Sequence, residues 1–311
     1  MKKLILLISI SLFYCNLIFC QGIKFIVLNS TGDISLIRNT IEKTVKVGEI
    51  IFDKDKLKVG KYSYANLVYK DGTTLAIRSA GTYNTTKLIK MIASKRNDSA
   101  RKLNKLVLAE FVKSVDALDN IMVGGSSESI IEASIEYCTP THTYILDQVI
   151  TFNWFAVKDN NYTFRLTDFS GNTLYSSELS DTSITLNLQQ LNLARDNIYK
   201  WYVKDNKSED ALTDTCRFYW LSQPAADSIK KSVERLLADF DKFDHSIKQA
   251  LLASFYAQNK LYIDMLQAYE RAIELSPEID IYKRLYIEAL ENLGLERMAE
   301  AFRSKQSSTY N

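Results

Sequence analysis

Few residues in this chain have the type and spacing to do covalent or metal chemistry. Only two histidines, His142 and His245, occur among its 311 residues, so a histidine-based metal set or a serine-histidine-acid relay lacks parts. No Gly-rich phosphate loop, G-x-S-x-G elbow or H-E-x-x-H helix is present. Acidic side chains number 37, too many for neighbouring Asp and Glu to mean anything without geometry. The expectation is therefore no catalytic residue, no cofactor, no metal and no enzyme activity. A hydrolase with an unrecognised acid pair is the reading that a cleft joining two carboxylates would favour.

Cysteine offers one further reaction. Cys15 and Cys20 lie in the apolar N-terminal run, which leaves Cys138 and Cys216 downstream. In an oxidising compartment two thiols invite a bridge. Closing a loop of about 77 residues, it would contribute up to ~4 kcal/mol in the chain-entropy model. Two separately buried thiols are the alternative.

The compartment is read from residues 1–20. Lys2 and Lys3 precede an almost wholly apolar run from Leu4 to Phe19, the pattern of a secretory signal peptide. Leu17-Ile18-Phe19-Cys20 approximates a lipobox, although Phe19 is large where that motif wants a small residue. Cleavage after Cys20 would release a periplasmic or extracellular protein beginning at Gln21, whereas acylation of Cys20 would make an outer-membrane lipoprotein. An uncleaved anchor would need roughly twenty apolar residues. Membrane attachment is thus expected only through a lipid on Cys20.

Composition bounds the rest. A hydrophobic share of 46% and a charged share of 24% are those of globular domains, and the length suits two or three of them. Lys and Arg total 39 against 37 Asp and Glu; the formal charge of +2 gives no bulk attraction for nucleic acid or an acidic membrane. The 18 Tyr and 14 Phe suit half-buried pleated sheet.

The elements that must position any site fall into three modules, a multidomain α+β chain. Residues 22–92 read as short strands, at Ile23–Leu28, Glu49–Phe52, Lys56–Val59, Ala65–Tyr69 and Thr74–Ile77. Asp71-Gly72 between two alternating runs predicts a hairpin with a tight primed turn. Asp71 is explained by that turn rather than by a ligand. Val47-Gly48-Glu49, Asp55-Lys56-Leu57-Lys58-Val59-Gly60, Ser63-Tyr64-Ala65-Asn66-Leu67 and Asp71-Gly72-Thr73-Thr74-Leu75-Ala76-Ile77, in that order, resemble the FecR-type extracytoplasmic β domain. The resemblance covers about residues 23–88; Val59 stands where the family often has Thr and Lys54 where it often has Gly. It implies an all-β fold outside the cytoplasm. The best-known members regulate a sigma factor through a membrane helix and a cytoplasmic tail, a role not expected here.

Residues 93–135 read as a helix and a linker. Leu103, Leu106, Val107, Phe111, Val115 and Leu118 recur at helical spacing, and Gly124-Gly125-Ser126-Ser127 follows. The helix is expected to pack on the β domain or to separate it from the next.

Residues 136–222 alternate again, with strands expected at Val149–Trp154, Tyr162–Leu166, Ile184–Leu188, Ile198–Val203 and Cys216–Trp220. The module resembles the immunoglobulin-like sandwiches of bacterial envelope proteins, which implies that Trp154 and Trp201 face a core. Aromatics left exposed on it would instead suit sugar rings.

Residues 224–305 are helical. Tyr256, Tyr269, Ala272 and Pro277, followed in the next unit by Leu290, Gly294 and Ala299, resemble a tetratricopeptide repeat. One full unit and partial neighbours are short for a free-standing array, so docking on the sandwich or on a partner is expected to complete the core. Such repeats bind proteins through a concave face; a plain helical bundle is the alternative. The whole reads as an exported, non-enzymatic binding or scaffold protein of a bacterial envelope with an envelope protein partner and no nucleic acid. A small-molecule or glycan-binding module is the second reading.

Overall fold

In the computed structural model, the residues described are 23–94, 102–121, 137–155, 161–206 and 215–308. Residues 1–20, where the sequence leads one to expect a signal peptide, and Cys20 lie outside them, as does Gly124-Gly125-Ser126-Ser127, expected as a linker. The chain divides into two compact units, one of residues 1–70 and 74–98 and the other of residues 71–73 and 99–311.

The first unit is built from eight strands and one helix: β1 (Ile23–Thr31), β2 (Ile34–Arg38), β3 (Ile41–Thr44), β4 (Ile50–Phe52), β5 (Lys56–Val59), β6 (Tyr64–Tyr69), β7 (Thr74–Ile77), β8 (Gly81–Asn84) and α1 (Thr85–Ser94). They form two antiparallel sheets, ordered β4-β1-β6-β7 and β3-β2-β5-β8. Alternation decides the buried face: in β5, Leu57 and Val59 are buried while Lys56 and Lys58 are exposed. Phe25, Val27, Leu36, Leu57, Leu67 and Leu75 meet in one core drawn from both sheets. Each such side chain contributes about 1.5–3 kcal/mol relative to exposure.

The sequence motifs of this unit have local structural work. Asp55, only 2% exposed, accepts from the amide of Phe52 at 2.9 Å and so closes the turn between β4 and β5. Gly60 donates its amide to Asp33 O at 2.8 Å, and a Cβ there would fall 2.9 Å from that oxygen. Ser63 Oγ accepts from the Asp33 amide at 2.9 Å.

The hairpin is wider than the Asp-Gly signal predicts. Val68 pairs with Thr74, leaving a five-residue loop in which Asp71 Oδ1 accepts from Thr73 N at 2.9 Å and Gly72 takes φ +81°. Helix α1 lies mostly within residues 22–92, which the sequence pattern reads as strands. Asn84 caps it, accepting from Lys87 N at 2.8 Å, and Leu88 and Ile92 bury one face in the core.

The second unit begins with α2 (Lys102–Ile121). A sandwich follows: β9 (Tyr137–Thr139), β10 (Thr143–Ile145), β11 (Val149–Trp154), β12 (Tyr162–Asp168), β13 (Thr173–Leu179), β14 (Ser183–Asn187), β15 (Asn197–Asp205) and β16 (Cys216–Trp220). One sheet is ordered β10-β16-β15-β12-β13, the other β14-β11-β9; β10 alone runs parallel to its neighbour, β16. All five strands expected from the sequence are present, and the short β9, β10 and the exposed β13 are additions. Between the sheets, Phe152 lies 5.0 Å from Phe164 and 5.3 Å from Trp201, ring centre to centre. Trp154, Trp201 and Trp220 are all at most 3% exposed.

Five helices close the chain: α3 (Gln223–Asp239), α4 (His245–Gln258), α5 (Tyr262–Leu275), α6 (Asp280–Asn292) and α7 (Glu296–Ser308). Ser222 and Asp244 cap α3 and α4 through their side-chain oxygens. Helices α4 and α5 form one hairpin, α6 and α7 a second, and their turns correspond bond for bond thirty-four positions apart. Leu261 N reaches Tyr256 O at 3.0 Å in the first, and Leu295 N reaches Leu290 O at 2.9 Å in the second. Lys260 and Gly294 each take positive φ, +58° and +72°. Met265 and Ala299, one turn later, are both buried.

Candidate functional site

Two features of the second unit bring together residues that are distant in sequence. The first is the seam where helices meet the sandwich. Lys260 O, in the turn between α4 and α5, accepts from Tyr144 N at 2.8 Å and from Thr143 Oγ1 at 3.1 Å, while Thr143 Oγ1 accepts from Tyr262 N at 2.9 Å. These bonds tie the first helical hairpin to β10. Leu146, Leu221, Ala226 and Leu261 form a small core beneath them, on which Tyr256 packs.

Beside this seam runs a cleft of about 330 Å³. Its floor is the outward face of β11, with Val149, Thr151 and Asn153; Ile263, Gln267 and Glu270 of α5 form one wall, and Met298 of α7 closes an end. Besides Glu270, two further carboxylates line it, Asp147 from the turn between β10 and β11 and Asp264 from the first turn of α5. Their environments differ. Asp147 is exposed and pairs with Lys230 Nζ at 2.7 Å. Asp264 is largely buried; burial, reinforced by the charge of Asp147, pushes its carboxyl up to about 6, against a smaller opposing pull from Lys230. Burial also pushes the nearby Tyr256 hydroxyl up to about 12. Burial raises the Tyr286 hydroxyl well above its ordinary range, and its 2.6 Å bond to Glu270 adds to that shift. The cleft thus offers carboxylates, amides and hydroxyls among apolar side chains, a combination chemically suited to an amine- or hydroxyl-bearing group.

Nothing in the sequence singles out Asp147 and Asp264. They are two of many acids, and only the docking of α5 on the sandwich brings them to one cleft. The histidines do not join them. His142 is exposed and shares a 2.9 Å bond with Thr141 Oγ1, and His245 is exposed at the start of α4. Among the described residues no cluster of His, Cys, Asp and Glu is arranged to hold a metal.

The second feature is α2. Val107, Leu108, Phe111, Val112, Val115 and Leu118 are buried along one stripe, and the helix packs on α4 and α6, the first helices of the two hairpins. Leu106, expected within the stripe, is 53% exposed; Leu108 and Val112 take its place.

The repeat residues are distributed as follows. Tyr269, Ala272 and Ala299 are buried within the hairpins, Tyr256 is partly buried against the sandwich, Pro277 is exposed between α5 and α6, and Gly294 makes the second turn. Cys216 is buried on β16 and Cys138 lies on β9, in the opposite sheet. A bridge between them falls on the side chain of Cys138, which is outside the described residues. Among the described residues no helix is long and apolar enough to cross a membrane.

No protein-family model matches the chain, and no curated protein matches it. Solved structures are similar to it. The fibronectin(III)-like modules of Clostridium thermocellum CbhA align over 66% of this chain and 81% of their own, at 8% identity and a TM-score of 0.21. The chicken CNTN1 FN1-FN3 domains align over 65% of this chain and 57% of their own, at 10% identity and a TM-score of 0.21. Astrotactin-2, a vertebrate-specific perforin-like membrane protein, aligns over 75% of this chain and 47% of its own, at 9% identity and a TM-score of 0.20. The sandwich assignment rests on the two facing sheets themselves.

Proposed function

We propose that this chain is an exported, non-enzymatic scaffold protein of the bacterial cell envelope, acting through protein-protein contacts. In this reading the first unit is a FecR-like β domain, the sandwich is immunoglobulin-like and the closing helices are tetratricopeptide-like. The observation that carries it is α2 seated on α4 and α6. A surface made by the first helices of successive hairpins accepts an amphipathic helix, which is how such repeats receive partners. The thirty-four-residue correspondence of the two turns supports the repeat assignment, and the basic-apolar start at Lys2 and Lys3 supports export to the periplasm or beyond, with or without a lipid on Cys20.

The test is capture of the tagged mature protein from native envelope with crosslinking and mass spectrometry. A reproducible protein partner crosslinked within residues 224–305 is the expected result. Recovery of the chain alone, under conditions that preserve other envelope complexes, sinks the scaffold reading.

A specific observation favours a second reading, a small-molecule receptor: the cleft with Asp147 and Asp264. The same cleft is what a hydrolase with an acid pair would need. Burial of all three Trp weighs against glycan binding by stacking on indoles. A screen of amine-bearing ligands against wild type and Asp264→Asn separates these readings: saturable binding lost in the variant supports a receptor, and turnover of a ligand supports the hydrolase.

A further inference from the structure

The outward face of the five-stranded sheet carries a concentration of positive charge that the near-neutral total conceals. Register places these residues on one face. On β15, Lys200, Tyr202 and Lys204 share a side of the strand. Lys200 stands directly opposite Arg217 of β16, and Tyr202 directly opposite Arg165 of β12.

Directly opposed side chains have Cβ atoms about 5 Å apart, and like charges so placed destabilise a sheet. Lys200 and Arg217 are such a pair. Arg165, Lys204 and Arg217 are exposed and Lys200 is partly so. None of the four is in an ion pair among the described residues. Arg165 instead donates to Tyr202 OH at 3.3 Å, which holds the guanidinium beside a ring, and Lys200 donates to Phe169 O at 2.8 Å. Among the described residues, Glu178 also lies on this face, opposite Thr163 on the far side of the patch from Arg217, and Asp196 accepts from Tyr219 OH, two positions along β16 from Arg217.

We propose that this face binds a linear anionic polymer, an acidic polysaccharide, whose charges neutralise the Lys200–Arg217 opposition. A pleated face without a deep groove suits an extended chain. Lys200 and Arg217 stand about 5 Å apart across strands, and Arg165, opposite Tyr202, lies on the diagonal about 7–8 Å from both Lys200 and Lys204, so successive anionic groups of one polymer can each find a partner. Tyr202 gives a ring against which a sugar can lie. The choice of a polysaccharide over a nucleic acid rests on the exported reading; the charge argument does not.

The test uses the full mature chain and low-molecular-weight dextran sulfate as probe, with neutral dextran and single-stranded DNA as comparison arms. The expected result is saturable, salt-sensitive binding of dextran sulfate and none of neutral dextran. Binding should weaken at least tenfold in the double variant Lys200→Gln, Arg217→Gln, and comparably in Arg165→Gln, Lys204→Gln, so that misfolding of one variant does not decide the matter. The double variant Lys113→Gln, Lys283→Gln, which removes two cations from helices, should bind as wild type. No binding, or equal loss in the helix variant, overturns the proposal. Tighter binding of single-stranded DNA than of dextran sulfate overturns the polysaccharide assignment, and neither result bears on a partner crosslinked to residues 224–305.

Discussion

Asp55 and Arg38 form a forked ion pair inside the first unit: Arg38 Nη2 lies 2.7 Å from Asp55 Oδ2, and Nε lies 3.0 and 3.1 Å from the two carboxylate oxygens. Arg38 also donates to Ile50 O at 2.8 Å, so the pair fixes the turn on both sides. Removing one partner leaves the other desolvated. Arg38→Ala, which strands a carboxylate only 2% exposed, should lower stability by about 3 kcal/mol, and Asp55→Ala by somewhat less because Arg38 keeps contact with water. Urea denaturation followed by far-ultraviolet circular dichroism measures both; equal and negligible losses would remove the pair from the account of this fold.

Trp201 Nε1 donates to Pro140 O at 2.7 Å, whereas the indole nitrogen of Trp154, equally buried, has no partner among the described residues. Trp201→Phe therefore loses a bond and leaves a buried carbonyl with one donor fewer, while Trp154→Phe loses ring volume only. Trp201→Phe should be the more destabilising by about 1–2 kcal/mol, measured as the difference between the two denaturation midpoints at equal slope.

Asp264 titrates near 6 in the fold, above its ordinary 3.8. The folded state therefore holds this proton more tightly than the unfolded state, so the group's contribution falls as pH rises from about 4 to 6 and stays low above. Asp264→Asn should raise stability by about 1–2 kcal/mol at pH 7.5, allowing for partial solvation, and give no gain at pH 4. Thermal unfolding at the two pH values checks it. A gain of the same size at both would show that the carboxyl's charge is not the cause.

A bridge between Cys138 and Cys216, one on each sheet, is the outcome to be tested against two separate thiols in exported protein. Intact mass under non-reducing conditions should be two hydrogens short of the reduced chain, and thiol alkylation of the denatured protein should label neither residue. Two labelled thiols would leave the sandwich to stand on packing alone.

Phe111, wholly buried on α2, holds that helix to the hairpins. Phe111→Ala should cost about 3–5 kcal/mol if the helix is integral to the unit. If α2 instead exchanges with a partner helix, the same variant should increase partner capture, which the crosslinking experiment reads directly.

Strand positions were legible where alternation was strong. Leu57 and Val59 between lysines, or Trp154 and Phe152 on one face of β11, declare their direction from residue type alone. The edge strand β3 was not: it reads Ile41-Glu42-Lys43-Thr44 and is exposed throughout, so no apolar face marks it. Helix α1 had a signal, Asn84 as cap and Leu88 with Ile92 one turn apart, in a stretch whose preceding strand dominated the pattern. The cleft had none. Asp147 and Asp264 are set together where Lys260 O accepts from Tyr144 N and Thr143 Oγ1, and the identity of neither acid encodes that contact.

All three tryptophans lie between the sheets of the sandwich, and the first unit has none. Indole emission is therefore a private reporter of that sandwich. An unfolding curve followed by this light traces one module of the chain, while the peptide absorption band traces every module at once. Comparing the two curves measures, without any label, whether the chain melts in one step or in parts.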